Sequence, residues 1–497
     1  MEENFFDVIV VGAGISGIGS AYHLQKECPD RSFVILEGRP EVGGTWDLFR
    51  YPGIRSDSDM HTLGFSFKPW KDAKSIADGP AILEYLKETT KEFGIDKKIC
   101  FSHLVTTAEW FTEEAFWKLT VRVSTTGETQ TYTCNFLLMC SGYYSYKSGY
   151  TPDFKDMDKF NGEIIHPQDW SDDVDCTDKE VVVIGSGATA VTLVPAISQT
   201  ASHVTMLQRS PTYVVARPDE DPIAKKLRKI FPEKIAYFLT RKKNIYAQNY
   251  LYKKTRKDPE MIKKKILEGV QAALGNEYDI ERHFTPTYDP WDQRLCLVPN
   301  GDLFRSIRKG EASVETSEIE SFTPSGIKLT SGKELEAEII ITATGLNLVT
   351  LGEVNFIVDG DPVDFSKTWI YKGLAYSDVP NLISTFGYIN ASWTLRADIN
   401  SAFACRLLNH MKVTGATQVT PVLRDSDFDM PERPWVDGFS SGYMKRSMSE
   451  MPKQGDREPW LNTQDYLRDK KMLSRKNSVE DGVLQFIKTS TRISKEI

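Results

Sequence analysis

The chain carries one local pattern twice, once in "FFDVIVVGAGISGIGSAYHLQ" and again in "KEVVVIGSGATAVTLVPAIS". In each, an apolar β-run leads straight into a glycine turn and then into an amphipathic helix. In the first, Val8 to Val11 run into Gly12, Gly14 and Gly17 with GxGxxG spacing. Glycine at those positions permits a tight turn, close approach of a pyrophosphate and close helix–strand packing. The helix start presents its positive dipole end to phosphate, and Ser16 joins the three glycines as a candidate contact. The next strand, "SFVILE", ends in Glu37, 25 residues after Gly12. A carboxylate there accepts hydrogen bonds from both hydroxyls of a ribose. A turn that merely packed would need no acid at that point.

The second pattern differs in polarity. Val181 to Ile184 lead into Gly185, Gly187 and Ala190, with Ser186, Ala188 and Thr189 inside the turn. Alanine in the third position opens the helix–strand contact slightly. The following strand, "HVTMLQRSP", ends in Arg209 and Ser210 and carries no acid. An acid would repel a 2′-phosphate, whereas a guanidinium binds one with forked, charge-assisted hydrogen bonds. One fold thus suits a free ribose diol, as in FAD, and the other a phosphorylated ribose, as in NADPH. A flavoprotein reduced by NADPH is the economical explanation.

A chain of 497 residues is too long for one hydrophobic core. We expect an α/β protein with two Rossmann-like domains. The FAD-binding domain is expected at 1–150 and 346–497, the NADP-binding domain at 151–220 and 286–345, and a helical insertion at 221–285. The net charge of -8 argues against a nucleic-acid binder. A polar start (Met1, Glu2, Glu3, Asn4) speaks against a secretory signal, and no apolar run is long enough to cross a bilayer. The seven cysteines, with no C-x-x-C pair, fit a reducing cytoplasm and no metal site. Between the folds, residues 80–100 read as a helix, followed by alternating antiparallel strands that contain Val105, a further candidate cofactor contact. "FLLMCSG" reads as a strand returning to the first sheet. "AEIIITATG" reads as the strand that hands the chain back from the second fold to the first. The stretch from Met451 is polar, and is expected to be only partly ordered.

From Lys225 to Lys265 there are fifteen Lys or Arg against three Asp or Glu, interleaved with aromatic and aliphatic residues. The first expectation is a solvated basic face. Peripheral contact with an anionic membrane is the alternative.

A third signature, "GGTWDLFRYPGIRSDSD", follows the first fold. Gly43 and Gly44 let backbone approach a flat ligand, beside Thr45, and Trp46 offers an aromatic face. The stiff turn Tyr51-Pro52-Gly53 delivers Arg55, Ser56 and Asp57. With these residues the sequence resembles the type I Baeyer–Villiger monooxygenases, in the branch of thioamide-prodrug activators. The family pattern F-x-G-x-x-x-H-x-x-x-W is present as Phe160, Gly162, His166 and Trp170, and G-G-x-W-x4-Y-P-G-x3-D as Gly43 to Asp57. The resemblance spans nearly the whole chain. It places the family's active-site arginine in "YDPWDQRLCLVPNGDLF", at Arg294. It implies an FAD-, NADPH- and O2-dependent conversion of ketones to esters or lactones through a flavin C4a-peroxide, with sulfoxidation of thioethers as a second activity. Arg294 then stabilises developing negative charge, and Asp57 holds it in place. Two departures stand out. Gln293 replaces the lysine that usually precedes this arginine, and Ser171 follows Trp170 where the family has Pro or Asp. The rivals are a flavin monooxygenase acting on nitrogen or sulfur, and an NADPH-sensing flavoprotein that oxygenates nothing. The substrate pocket is expected from the region of Asn390 and Trp393 and from the helical insertion. His166 reads as a hinge residue linking the two nucleotide domains.

Overall fold

In the computed structural model, residues 4–438 and 440–489 are described. Met1 to Glu3 of the polar start lie outside them. Two parallel sheets dominate. In the first, the strand Phe5–Val11 pairs in parallel with Phe33–Leu36 on one side and Thr129–Met139 on the other. Ile99–Cys100 and Leu382–Ser384 extend this parallel set. Strands buried on both faces need continuous apolar sequence, and Val8, Ile9 and Val10 have no exposed surface. His103–Phe111 and Phe116–Val123 continue the sheet with antiparallel pairing, as their alternation predicts. The helix Ile15–Glu27 covers one face and packs on the long helix Trp393–Thr414, which shares its hydrophobic cluster.

The second sheet has five strands, all parallel, in the order Ala312–Thr316, His203–Gln208, Glu180–Ile184, Ile339–Thr342, Glu163–Ile165. Both returning strands read from the sequence are therefore present. The chain passes from the first sheet to the second through Tyr144–Gly149 and comes back through Leu346–Leu348. These two crossings pair with each other as an antiparallel ribbon.

Three expectations need correction. The helix expected at 80–100 spans Gly79–Glu92, capped by Asp78, whose side chain accepts from the Ala81 amide. Gly94 then turns the chain with φ 63°, and the remainder becomes a 3-10 turn and the edge strand Ile99–Cys100. From 451 to 489 the chain does not trail away, and residues 490–497 lie outside the described residues. Trp460, Leu473 and Val483 are fully buried, and Leu484–Ile487 pairs with Gln418–Pro421. Scattered apolar residues in polar sequence find a surface that composition does not reveal. Finally, the basic block is helical (Pro222–Ile230, Glu233–Lys257, Pro259–Leu274 and Ile280–Phe284), but none of residues 221–285 lines the large cavity described next. One face of it docks, with Arg241 donating to the carbonyls of His61, Thr62 and Gly64, while lysines such as Lys226, Lys229, Lys234 and Lys242 stay exposed as expected of a solvated basic face.

Candidate active site

The two glycine turns are built alike. The Gly12 amide donates to Leu36 O at 2.8 Å, and the Gly185 amide to Leu207 O at 2.8 Å. Gly14 caps its helix at φ -79° and ψ -171°, and Gly187 at φ -78° and ψ -174°. Gly12 has φ 103° and Gly185 φ 137°, a region open to glycine. A Cβ on Gly12 would lie 2.6 Å from Cys140 O, and one on Gly185 2.3 Å from Ala343 O. In each turn the first glycine is therefore required by the neighbouring strand end. Gly17 and Ala190 point inward, away from the cavity, whereas Gly12, Gly14, Ser16, Gly185, Ser186, Gly187, Ala188 and Thr189 line it.

Both turns open onto one cavity of about 1180 Å3, at the carboxyl ends of both sheets' strands. That exceeds the roughly 300–1,000 Å3 of a pocket for one small molecule, and suits two extended ligands. Glu37 lies at the first strand end, 4 % exposed, and its carboxylate accepts from the amides of Ala13 at 2.6 Å and Arg39 at 2.9 Å. Burial pushes its carboxyl upward, and the two amides oppose that shift. Val105, Gly44, Thr45 and Trp46 share this end of the cavity. Gly44 has φ 57°, and its Cα approaches Gly14 closely enough that the two glycines face one another. At the second strand end Arg209 is exposed and forms no ion pair among the described residues, and Ser210 accepts through its carbonyl from Ser186 Oγ at 3.1 Å. A Cβ on Gly187 would meet nothing within 4 Å. The donor sets fit the two expected groups: a buried acid with glycine backbone at one end, an open glycine turn with a free guanidinium at the other.

Asp57 and Arg294 meet between the two turns, with Arg294 Nε 2.6 Å from Asp57 Oδ2. Both are seated against the second fold. Gly53, at φ 76°, seats the Asp57 loop on the helix Ala188–Ile197. A Cβ there would lie 2.7 Å from Ala196 Cβ and 2.8 Å from Thr192 O. Arg294 precedes the strand Cys296–Pro299, which pairs in parallel with Val214–Arg217 beside the second turn. The Asp57 carboxylate holds the Arg294 guanidinium still more firmly protonated than an ordinary arginine. The site thus offers a fixed cation at every working pH. Ser56 is buried and bonds its hydroxyl to Ser58, whereas the Arg55 guanidinium is taken by Asp302.

An aromatic wall stands next to this pair. Tyr143 stacks on Trp393 at 5.1 Å, and Trp393 Nε1 donates to Ser16 Oγ at 2.7 Å. The Tyr143 and Tyr144 hydroxyls are 2.6 Å apart, and burial raises both phenols. Trp393 lines the cavity as expected. Asn390 does not: its amide donates to Gln464 O at 3.0 Å. Tyr143, Tyr144, Tyr443 and Arg446 line the cavity and were not singled out from the sequence. One signal was available for the first two. They follow the strand Thr129–Met139 at its carboxyl end, where ligands gather in open α/β sheets.

The remaining motif lies outside the cavity. Phe160 packs in a small cluster on the second sheet with Phe322 and Ile327, Trp170 packs on that sheet's other cluster, and a Cβ on Gly162 would lie 2.3 Å from Glu338 O. His166 is wedged against the ribbon that joins the sheets. Its Nε2–H donates to Gly345 O at 3.0 Å, and Nδ1 accepts from the Gln168 amide at 3.1 Å. A Cβ on Gly149 would fall 1.8 Å from the ring, so Gly149 must be glycine for the histidine to fit. Burial lowers the imidazole's pKa and favours this neutral form. Among the described residues no cluster of His, Cys, Asp or Glu is arranged to hold a metal ion.

Comparison with known proteins agrees with this picture. The model of a flavin-binding monooxygenase-like family matches residues 6–349. The FAD-containing monooxygenase EthA of Mycobacterium tuberculosis is 53 % identical over 483 residues, covering 97 % of this chain and 98 % of that protein. The probable FAD-binding monooxygenase AlmA of Acinetobacter baylyi is 47 % identical over 495 residues, covering 99 % of this chain and 98 % of that protein. Among solved structures, an oxidized steroid monooxygenase bound to NADP superposes with a TM-score of 0.80 at 20 % identity, over 98 % of this chain and all of that one. At that identity the likeness speaks for the fold alone.

Proposed function

The chain belongs to the flavin-binding monooxygenase-like family, and from that premise we propose that it is an FAD- and NADPH-dependent monooxygenase that sets one oxygen atom beside a carbonyl, turning ketones into esters or lactones. FAD fits the first turn, with Glu37 on the ribose diol. NADPH fits the second, with Arg209 on the 2′-phosphate. When bound, the flavin supplies the activation of O2 by electrons drawn from NADPH. The chain's own residues do the rest. Arg294 holds a permanent positive charge where the attacked carbonyl oxygen becomes negative, and a preplaced cation in a sheltered site is worth far more than one in water. Asp57 fixes the direction of that guanidinium. Tyr143 and Trp393 form a flat apolar wall that orients substrate and limits water.

The observation that carries this reading is the Asp57–Arg294 pair standing between the two turns. An enzyme that oxygenates only nitrogen or sulfur develops no alkoxide and has no use for such a cation. Replacing Arg294 by Ala should leave reduction of the flavin by NADPH within a few-fold of wild type, while ester formation falls by roughly a hundred- to a thousandfold. Stopped-flow flavin absorbance and product analysis on a ketone panel read the two steps separately. Retained ketone oxidation in the variant would sink the assignment. A wild-type enzyme that oxidises thioethers but no ketone would favour the nitrogen- and sulfur-oxygenating alternative.

A further inference from the structure

The helices Pro222–Ile230 and Glu233–Lys257 dock on the first sheet's surroundings through one face only. On the short helix Arg228 donates to the carbonyls of Trp70, Lys71 and Asp72. On the long one Tyr237 Oη donates to Phe65 O, and Asn244 and Gln248 donate to Asp59. The opposite face points to solvent. Of the twelve large hydrophobic side chains that are exposed among the described residues, seven fall between Ile223 and Tyr250. Ile235, Phe238, Tyr246 and Tyr250 repeat at helical spacing, with Lys242 in the same stripe. Ile223 and Ile230 bracket Lys226 in the same manner, and Ile230 is 72 % and Phe238 61 % exposed. The exposed Lys226, Lys229, Lys234 and Lys242 form no ion pair among the described residues.

We infer that this face is a docking surface for an anionic lipid membrane. Exposed Ile and Phe flanked by unpaired lysines is the pattern that seats a helix in the headgroup region, with apolar side chains in the acyl boundary and ammonium groups among phosphates. No helix of the described chain is long and apolar enough to cross a membrane, so the contact is peripheral. The charge chooses the partner. The whole chain carries -8, whereas this segment is a long, strongly basic one, so an anionic surface favours contact through this face. A second copy paired through the same face would set lysines against lysines.

The test uses the full-length, flavin-loaded protein and sedimentation with vesicles of equal parts phosphatidylglycerol and phosphatidylcholine, or of phosphatidylcholine alone. Anionic vesicles should recover at least about tenfold more protein at low salt. Ile230→Ser/Phe238→Ser should cut recovery about tenfold with charge unchanged, and Lys226→Glu/Lys229→Glu should do the same. An unchanged melting temperature verifies that both variants are folded. Equal recovery on both vesicle types would overturn the inference, as would wild-type recovery of both variants. So would light scattering in which the serine variant breaks up an oligomer of the wild type, since the face would then belong to a second copy.

Discussion

The capping glycines of the two turns, Gly14 and Gly187, share backbone angles to within a few degrees, yet the turns present different chemistry. The first is enclosed. Gly44 leans on Gly14, Trp393 reaches Ser16, and Glu37 is buried with its oxygens engaged by amides. The second is open: Gly187 faces empty space and Arg209 stands free at the surface. On the function proposed, the closed turn keeps a resident flavin, and the open one exchanges a coenzyme each turnover. The backbone motif sets where a pyrophosphate sits. The surroundings set how firmly it stays and which ribose accompanies it.

The third small residue offers the hardest test of this contrast. A Cβ on Gly17 would stand 1.9 Å from Gly12 O, whereas Ala190 already carries one. Gly17→Ala should therefore abolish flavin incorporation or folding, seen as loss of the flavin absorbance in purified protein. Ala190→Gly should cost only about 1 kcal/mol in helix stability and leave coenzyme binding intact. Similar damage from both substitutions would mean that the turns are not distinguished by packing. Next in size, Arg209→Ala should weaken NADPH by about 2 kcal/mol, or roughly thirtyfold in KM, and leave NADH nearly unaffected. Equal changes for both coenzymes would remove the phosphate role. A related comparison asks how much selectivity Gln293 gives up, because restoring a lysine there should raise NADPH preference by a few-fold.

The smallest effects concern the joint between the two folds. His166→Ala should slow turnover a few-fold, or divert NADPH to hydrogen peroxide, with flavin content preserved. Peroxide yield against NADPH consumed measures this. The pH dependence has a definite sign. The imidazole's folded pKa lies below its ordinary 6.5, so its contribution to stability is present above that pH and is lost as pH falls below it. Wild type should thus lose more of its melting temperature than His166→Gln between neutral pH and about pH 5. Parallel curves would remove His166 from the linkage.

Much of this was legible in sequence because it is local. A strand, a glycine turn and a helix follow one another within some twenty residues, and Glu37 and Arg209 sit at a fixed distance beyond. Asp57 and Arg294 were legible only through family motifs, since no spacing in one sequence could bring them together. Other features depended on long-range packing. Asn390 turned to Gln464, Arg55 to Asp302, and the basic helices docked away from the cavity. A polar side chain's partner is fixed by what folds beside it, and its neighbours in sequence say little about that.

The sequence by itself determined two nucleotide cradles and their opposite polarity, because turn geometry and the charge at a strand end are properties of short segments. Only the tertiary structure decided that one cavity serves both cradles and that Asp57 meets Arg294 within it. It also decided that His166 packs on Gly149 and bonds Gly345 in the ribbon between the sheets. Those contacts join segments far apart in the chain, and they exist only once two cores have formed and packed against each other.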